Sequence, residues 1–162
     1  MKVMMIDVES LGLHGDAFAV AWLVVETDSG EELDAGFYAV DPTVCAGEDG
    51  NRKWCNDNIP KMVPTHRTRA AMRDAFWPIW LKWQQEGAVL AADVPWPVEA
   101  RFLADCIDDD NRRCWQGPYP ILDVTSVKVG AGKTVAQAQE TGERLDSEQP
   151  AHHPLIDPKW TS

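Results

Sequence analysis

A chain of 162 residues, 44% of them hydrophobic, is long enough to bury one core and too short for two ordinary domains, so one domain over 1–162 is expected. It holds no apolar run of about 18 residues or more, which excludes a membrane-spanning helix. The 26 acidic residues outnumber the 15 basic ones, and a formal charge of −11 argues against a basic stripe that tracks a long phosphate backbone.

In chain order, residues 2–8 read as a central strand and 17–27 as a second, closed by the turn Asp28-Ser29-Gly30. Residues 32–40 make a third, with Leu33, Ala35, Phe37 and Ala39 on one face and polar partners opposite. Short turns between the three predict antiparallel pairing. A short helix follows over 51–58, ended by Pro60, and the strongest helical pattern covers 68–86, stopped by Gly87. Pro78 inside it predicts a kink or a late start. Residues 88–92 form a wholly apolar, buried strand, and Pro97 opens a helix over 98–107 that ends at Asp108-Asp109-Asp110, read as a solvated loop. Another strand at 121–124, a helix over 125–129, a helical stretch over 135–140 and a short closing helix over 151–160 complete the chain. This order predicts an α/β fold: a mixed sheet, three antiparallel strands then parallel ones, flanked by helices.

Four cysteines (Cys45, Cys55, Cys106, Cys114) have neither C-x-x-C spacing nor the density of a disulfide framework. Free thiols in a reducing compartment are expected, and with no apolar leader after Met1-Lys2 the expected location is cytoplasmic. The stripe Phe76, Trp77, Trp80 and Trp83 has helical spacing and reads as a packing face, toward the sheet or a partner subunit.

The chemistry-bearing residues begin with Asp7 and Glu9 at the end of the apolar run Val3-Met4-Met5-Ile6. Side chains i and i+2 on a strand share a face, so two carboxylates lie close and repel. A divalent cation relieves that repulsion, and hard oxygen donors suit Mg²⁺ or Mn²⁺. Asp93 ends a buried strand and Glu99 stands in the first turn of the helix after it; Asp123 also falls near a strand end. His152 and Asp157, with four residues between them, put a base and another carboxylate on the closing helix. Together these residues point to a metal-dependent phosphodiesterase. Trp96 is a stacking candidate for a terminal base.

These segments carry a resemblance. Ile6-Asp7-Val8-Glu9-Ser10-Leu11-Gly12 is similar to the first motif of the DEDDh-type 3′–5′ exonucleases, a family that includes proofreading exonucleases, oligoribonucleases and ribonuclease T. His152-His153-Pro154-Leu155-Ile156-Asp157 resembles its His-x4-Asp motif, and Ile121-Leu122-Asp123-Val124 the segment after its second motif. The second motif departs from the family pattern: Pro97 follows Trp96, Glu99 stands three before Phe102-Leu103 where the family has Asp, and Asp93 stands near the family's Asn. Either Asp93 or Glu99 is therefore the fourth acid, and Asp93 is preferred because its strand-end position is better fixed.

The resemblance implies a ribonuclease H-like fold. It also implies two Mg²⁺ or Mn²⁺ ions about 4 Å apart, held by Asp7, Glu9, Asp157 and Asp93 or Glu99. His152 would be the general base, and Leu11, Gly12 and Trp96 would touch the substrate. That substrate would be single-stranded DNA or RNA, or a short oligonucleotide, cut to nucleoside 5′-monophosphates. Homodimers are common in the family, and the Trp stripe would suit one. A nucleotidase or endonuclease on the same fold, or a non-catalytic nucleic-acid-binding protein, are the competing readings.

Overall fold

The computed structural model describes residues 1–139 of this chain. Five strands form one mixed sheet in the order β3-β2-β1-β4-β5. They are β1 (Lys2–Ser10), β2 (Ala17–Glu26), β3 (Glu31–Ala39), β4 (Val89–Ala92) and β5 (Ile121–Asp123). β1, β2 and β3 pair antiparallel, whereas β4 runs parallel to β1 and β5 parallel to β4. The helices are α1 (Asp49–Asn58), α2 (Arg69–Gln85), α3 (Val98–Asp109), α4 (Val124–Gly130) and α5 (Val135–Gln139). Among the described residues no helix is long and apolar enough to cross a membrane.

Alternation along the strands sorts their residues to two faces. Met4, Ile6 and Val8 of β1 join Val20, Trp22 and Val24 of β2 under α2 and α3. Phe76 of α2 sits at the middle of this core, its ring centroid 6.4 Å from Trp22 and 5.2 Å from Phe102 of α3, both edge-on. Such pairs add roughly 0.5–1.5 kcal/mol each to the area they bury. Val3, Met5 and Ala91 form a smaller cluster on the opposite face, with Leu122 and Val124 packed against it. The tryptophan stripe is consumed inside the chain: Trp77, Trp80 and Trp83 are all buried, their indole N–H groups donating to Gln116 Oε1, Gln116 O and Asp34 Oδ2. It offers no exposed face to a second copy.

Three sequence expectations change. The side of β3 expected to be polar packs inward where Gly36 and Tyr38 lie: a Cβ on Gly36 would come within 2.5 Å of Trp22 Cζ2, and the Tyr38 ring sits tilted 4.9 Å from Trp22. α2 neither starts late nor breaks at Pro78. Thr68 caps it by accepting from Ala71 N at 3.1 Å, and both Pro78 and Asp74, whose carbonyl loses its i+4 donor, are exposed, so water satisfies that carbonyl. Asp109 is no loop residue; it belongs to α3 and grips the buried Arg73 of α2, with Nη2 donating to Oδ1 at 2.8 Å. Asp110 caps the short turn Asn111–Arg113 and chelates Arg112, which holds its carboxyl down at about 2. All four cysteines are free; burial lifts the Cys45 thiol to about 11 and Cys106 to about 12.

Candidate functional site

β1 reaches further than its parallel neighbour. Its last ladder pair with β4 is Met5↔Ala91, and β4 ends at Ala92, so the second half of β1 has an open edge on that side. Asp7 and Glu9 lie on this overhang, on the same face as Val3 and Met5. Both are half-buried, and Asp7 Oδ2 is below the surface.

Glu99 fills the place the missing strand leaves. α3 begins there, and Glu99 Oε1 accepts from the Val8 N–H, between Asp7 and Glu9 in the chain, at a long 3.4 Å. Glu99 is only 8% exposed. Burial raises its carboxyl to about 7; the N–H groups of Glu99 itself and of Val8 pull it down, and the negative Asp93 nearby pushes it up. Asp93 itself turns to α4: its Oδ1 accepts from Thr125 Oγ1 at 3.0 Å and its carbonyl from Thr125 N at 3.1 Å. Asp123 is spent as the N-cap of α4, accepting from Ser126 N at 3.1 Å.

Beside Glu9 opens a cleft of about 440 Å³, lined by Glu9, Ser10, Gly12, Asn51, Trp54 and Val98 among others. Gly12 holds φ +82°, and a Cβ there would meet Asn51 Nδ2 at 2.3 Å, so both the turn and the contact require glycine. Cys55 anchors α1 to this corner by donating its Sγ–H to Ser10 O at 3.5 Å, and its thiol is raised first by burial and then by the charge of Glu9. Trp96, in the loop between β4 and α3, is 73% exposed and free to stack. Leu11 corrects the expectation made for it: it is 0% exposed in the main core, so its side chain packs under the loop instead of facing a substrate.

The structure therefore gathers Asp7, Glu9, Glu99 and Asp93 at the carboxyl ends of the parallel strands. Among the described residues no group of three or more His, Cys, Asp or Glu side chains stands at metal-ligand spacing. His152 and Asp157 lie outside the described residues. Asn51 and Trp54 of α1 escaped the sequence reading, because α1 meets the Gly12 loop only through tertiary packing and its own pattern gives no sign of it.

No protein-family model matches the chain, and no curated protein sequence does. Among solved structures it is similar to a chain of the ExoI/SSB-Ct complex, with a TM-score of 0.67 and 11% identity. The likeness covers 99% of this chain and 39% of that one, and at this identity it is a likeness of fold.

Proposed function

We propose that this chain is a divalent-cation-dependent 3′–5′ exonuclease with a ribonuclease H-like sheet, acting on single-stranded or short nucleic acids. The observation that carries the reading is Glu99 seated on the Val8 peptide, which draws the acid of α3 to the Asp7/Glu9 strand end. This placement favours Glu99 over Asp93 as the fourth acid, since the Asp93 carboxylate is engaged by Thr125. The likeness to the ExoI chain supports the fold on which this reading is built.

The donors are hard oxygens of the kind Mg²⁺ or Mn²⁺ takes, and since no three described acids stand at metal-ligand spacing, a cation site here needs Asp157 as well. Carboxylates crowd a strand end, and one of them is held near neutrality by burial, a cost that a bound cation offsets. Asp7, Glu9 and Glu99 would hold Mg²⁺ or Mn²⁺, with Asp157 completing the set. Two such ions would supply positive charge to the attacking and leaving oxygens of the phosphodiester. His152 would take a proton from the attacking water, a task its reference pKa of about 6.5 suits. Trp96 would stack on the terminal base, and the cleft beside Glu9 would take the 3′ nucleotide.

The test is a ladder assay with 5′-labelled DNA and RNA single strands in Mg²⁺ or Mn²⁺, alongside Asp7→Ala and His152→Ala. Stepwise shortening from the 3′ end that both variants abolish supports the proposal. Internal cuts, or turnover undiminished in both variants, reject it in favour of an endonuclease or another site; no turnover in the wild-type chain leaves a binding protein.

A further inference from the structure

A chain of charge −11 that takes a polyanion into an acidic strand end needs positive charge at the entrance. Among the described residues, seven of its 15 cations are already neutralised. Lys2, Lys53, Arg69, Arg73, Lys82, Arg112 and Arg113 each pair with a carboxylate. Arg52, beside Asn51, turns away from the cleft, its guanidinium donating to Pro42 O and Cys45 O at 2.8 and 3.0 Å.

Arg101 is different. It lies on α3 three residues after Val98, hence on the same side of the helix, and Val98 lines the cleft. Its Nη1 donates at 2.7 Å to the carbonyl of His14, next in the chain to Leu13, which also lines the cleft. The side chain thus ties α3 to the loop that carries Gly12 and Leu13, at the edge of the cleft. The residue is exposed, and among the described residues its partner is that one carbonyl. A carbonyl fixes direction without cancelling charge, and a guanidinium carries five N–H donors. Among the described residues the other four donors of the fork meet no acceptor, and their shape matches two phosphate oxygens.

We infer that Arg101 is a substrate-binding residue that clamps a backbone phosphate of a single strand at the rim of the cleft while bracing the Gly12–Gly15 loop. The inference rests on the nuclease reading of the same site and names the residue that supplies its missing positive charge.

The experiment measures binding of a 5′-fluorescent single strand to the full chain in EDTA across a salt series. DNA and RNA of one sequence form two arms, since both present the same phosphodiester. Arg101→Gln keeps a donor for His14 O and removes the charge; Arg101→Lys keeps the charge. The glutamine variant should bind roughly tenfold more weakly, and its salt slope should fall by about 0.7, the value for one phosphate contact on a single strand. The lysine variant should keep the wild-type slope. An unchanged affinity and slope in Arg101→Gln overturns the inference. Wild-type cleavage from the 3′ end together with that result would sink the Arg101 contact alone. Salt-dependent binding lost in Arg101→Gln without any wild-type turnover would sink the nuclease reading and keep the contact. Failure of the wild-type chain to bind either strand in EDTA overturns the Arg101 inference, and failure to cut either strand in Mg²⁺ or Mn²⁺ overturns the nuclease reading.

Discussion

Replacing Glu99 by Gln isolates the cost of seating a carboxyl at the β1 edge. In the folded chain its carboxyl is raised from 4.5 to about 7. Below about pH 4.5 both folded and unfolded forms carry the proton, and the shift costs nothing. Between 4.5 and 7 the unfolded chain ionises while the folded one stays protonated, so stability falls as pH rises, and the loss is complete above the folded value. A shift of roughly 2.5 units is worth about 3 kcal/mol. The residue is 8% exposed, so solvent screens little of this.

Glutamine has the same shape and still accepts from Val8 N, but never ionises. In EDTA, Glu99→Gln should match the wild type near pH 4.5 and exceed it by up to about 3 kcal/mol at pH 8, a rise in Tm of roughly 6–12 °C. Thermal melts followed by circular dichroism at both pH values read the difference directly. With Mn²⁺ added at pH 8 the order should narrow or reverse, because only the wild type gains a ligand. A Tm difference that is the same at both pH values refutes the argument that a buried, protonated carboxyl occupies this edge.

Other substitutions probe the frame around the site. Phe102→Ala removes the ring that α3 sets against Phe76 and should cost about 3–5 kcal/mol in urea denaturation with an unchanged m-value. Gly12→Ala places a Cβ at positive φ against Asn51 and should cost roughly 1–3 kcal/mol; adding Asn51→Ala should recover the steric part only, as chemical denaturation of the single and double variants would report. Arg73→Ala removes the buried guanidinium from Asp109, which is itself exposed, and should destabilise by roughly 1.5–3 kcal/mol. Arg73→Ala with Asp109→Ala should lose less than the sum in a double-mutant cycle.

Much of the sheet was legible because its signals are local. The apolar run before Asp7, the Asp28-Ser29-Gly30 turn and the unbroken apolar run at 88–92 each determine a strand without reference to the rest of the chain. The inner role of the polar side of β3 was not, since it depends on Gly36 making room for a ring 14 residues earlier in the chain, on another strand. Likewise, sequence tips the choice of fourth acid toward Asp93, which ends a strand, and away from Glu99, which starts a helix. What separates them is the overhang of β1 past β4, a difference in strand length that places an N–H opposite Glu99 and a hydroxyl opposite Asp93. In sequence Arg101 stands with Arg112, Arg113 and Lys128 as a cation that could meet phosphate with nothing to fix its direction; the fold supplies that by bringing His14 within reach.

The four thiols differ in how they meet solvent: Cys45, Cys55 and Cys106 are buried, and Cys114 alone is partly open. A maleimide offered to the native protein will therefore attach at Cys114 before the others. That position follows the Asn111–Arg113 turn, beyond the carboxyl end of α3, whereas Glu99 stands at the amino end of that helix. It is a ready attachment point for a dye or a surface tether, requiring no cysteine to be added or removed.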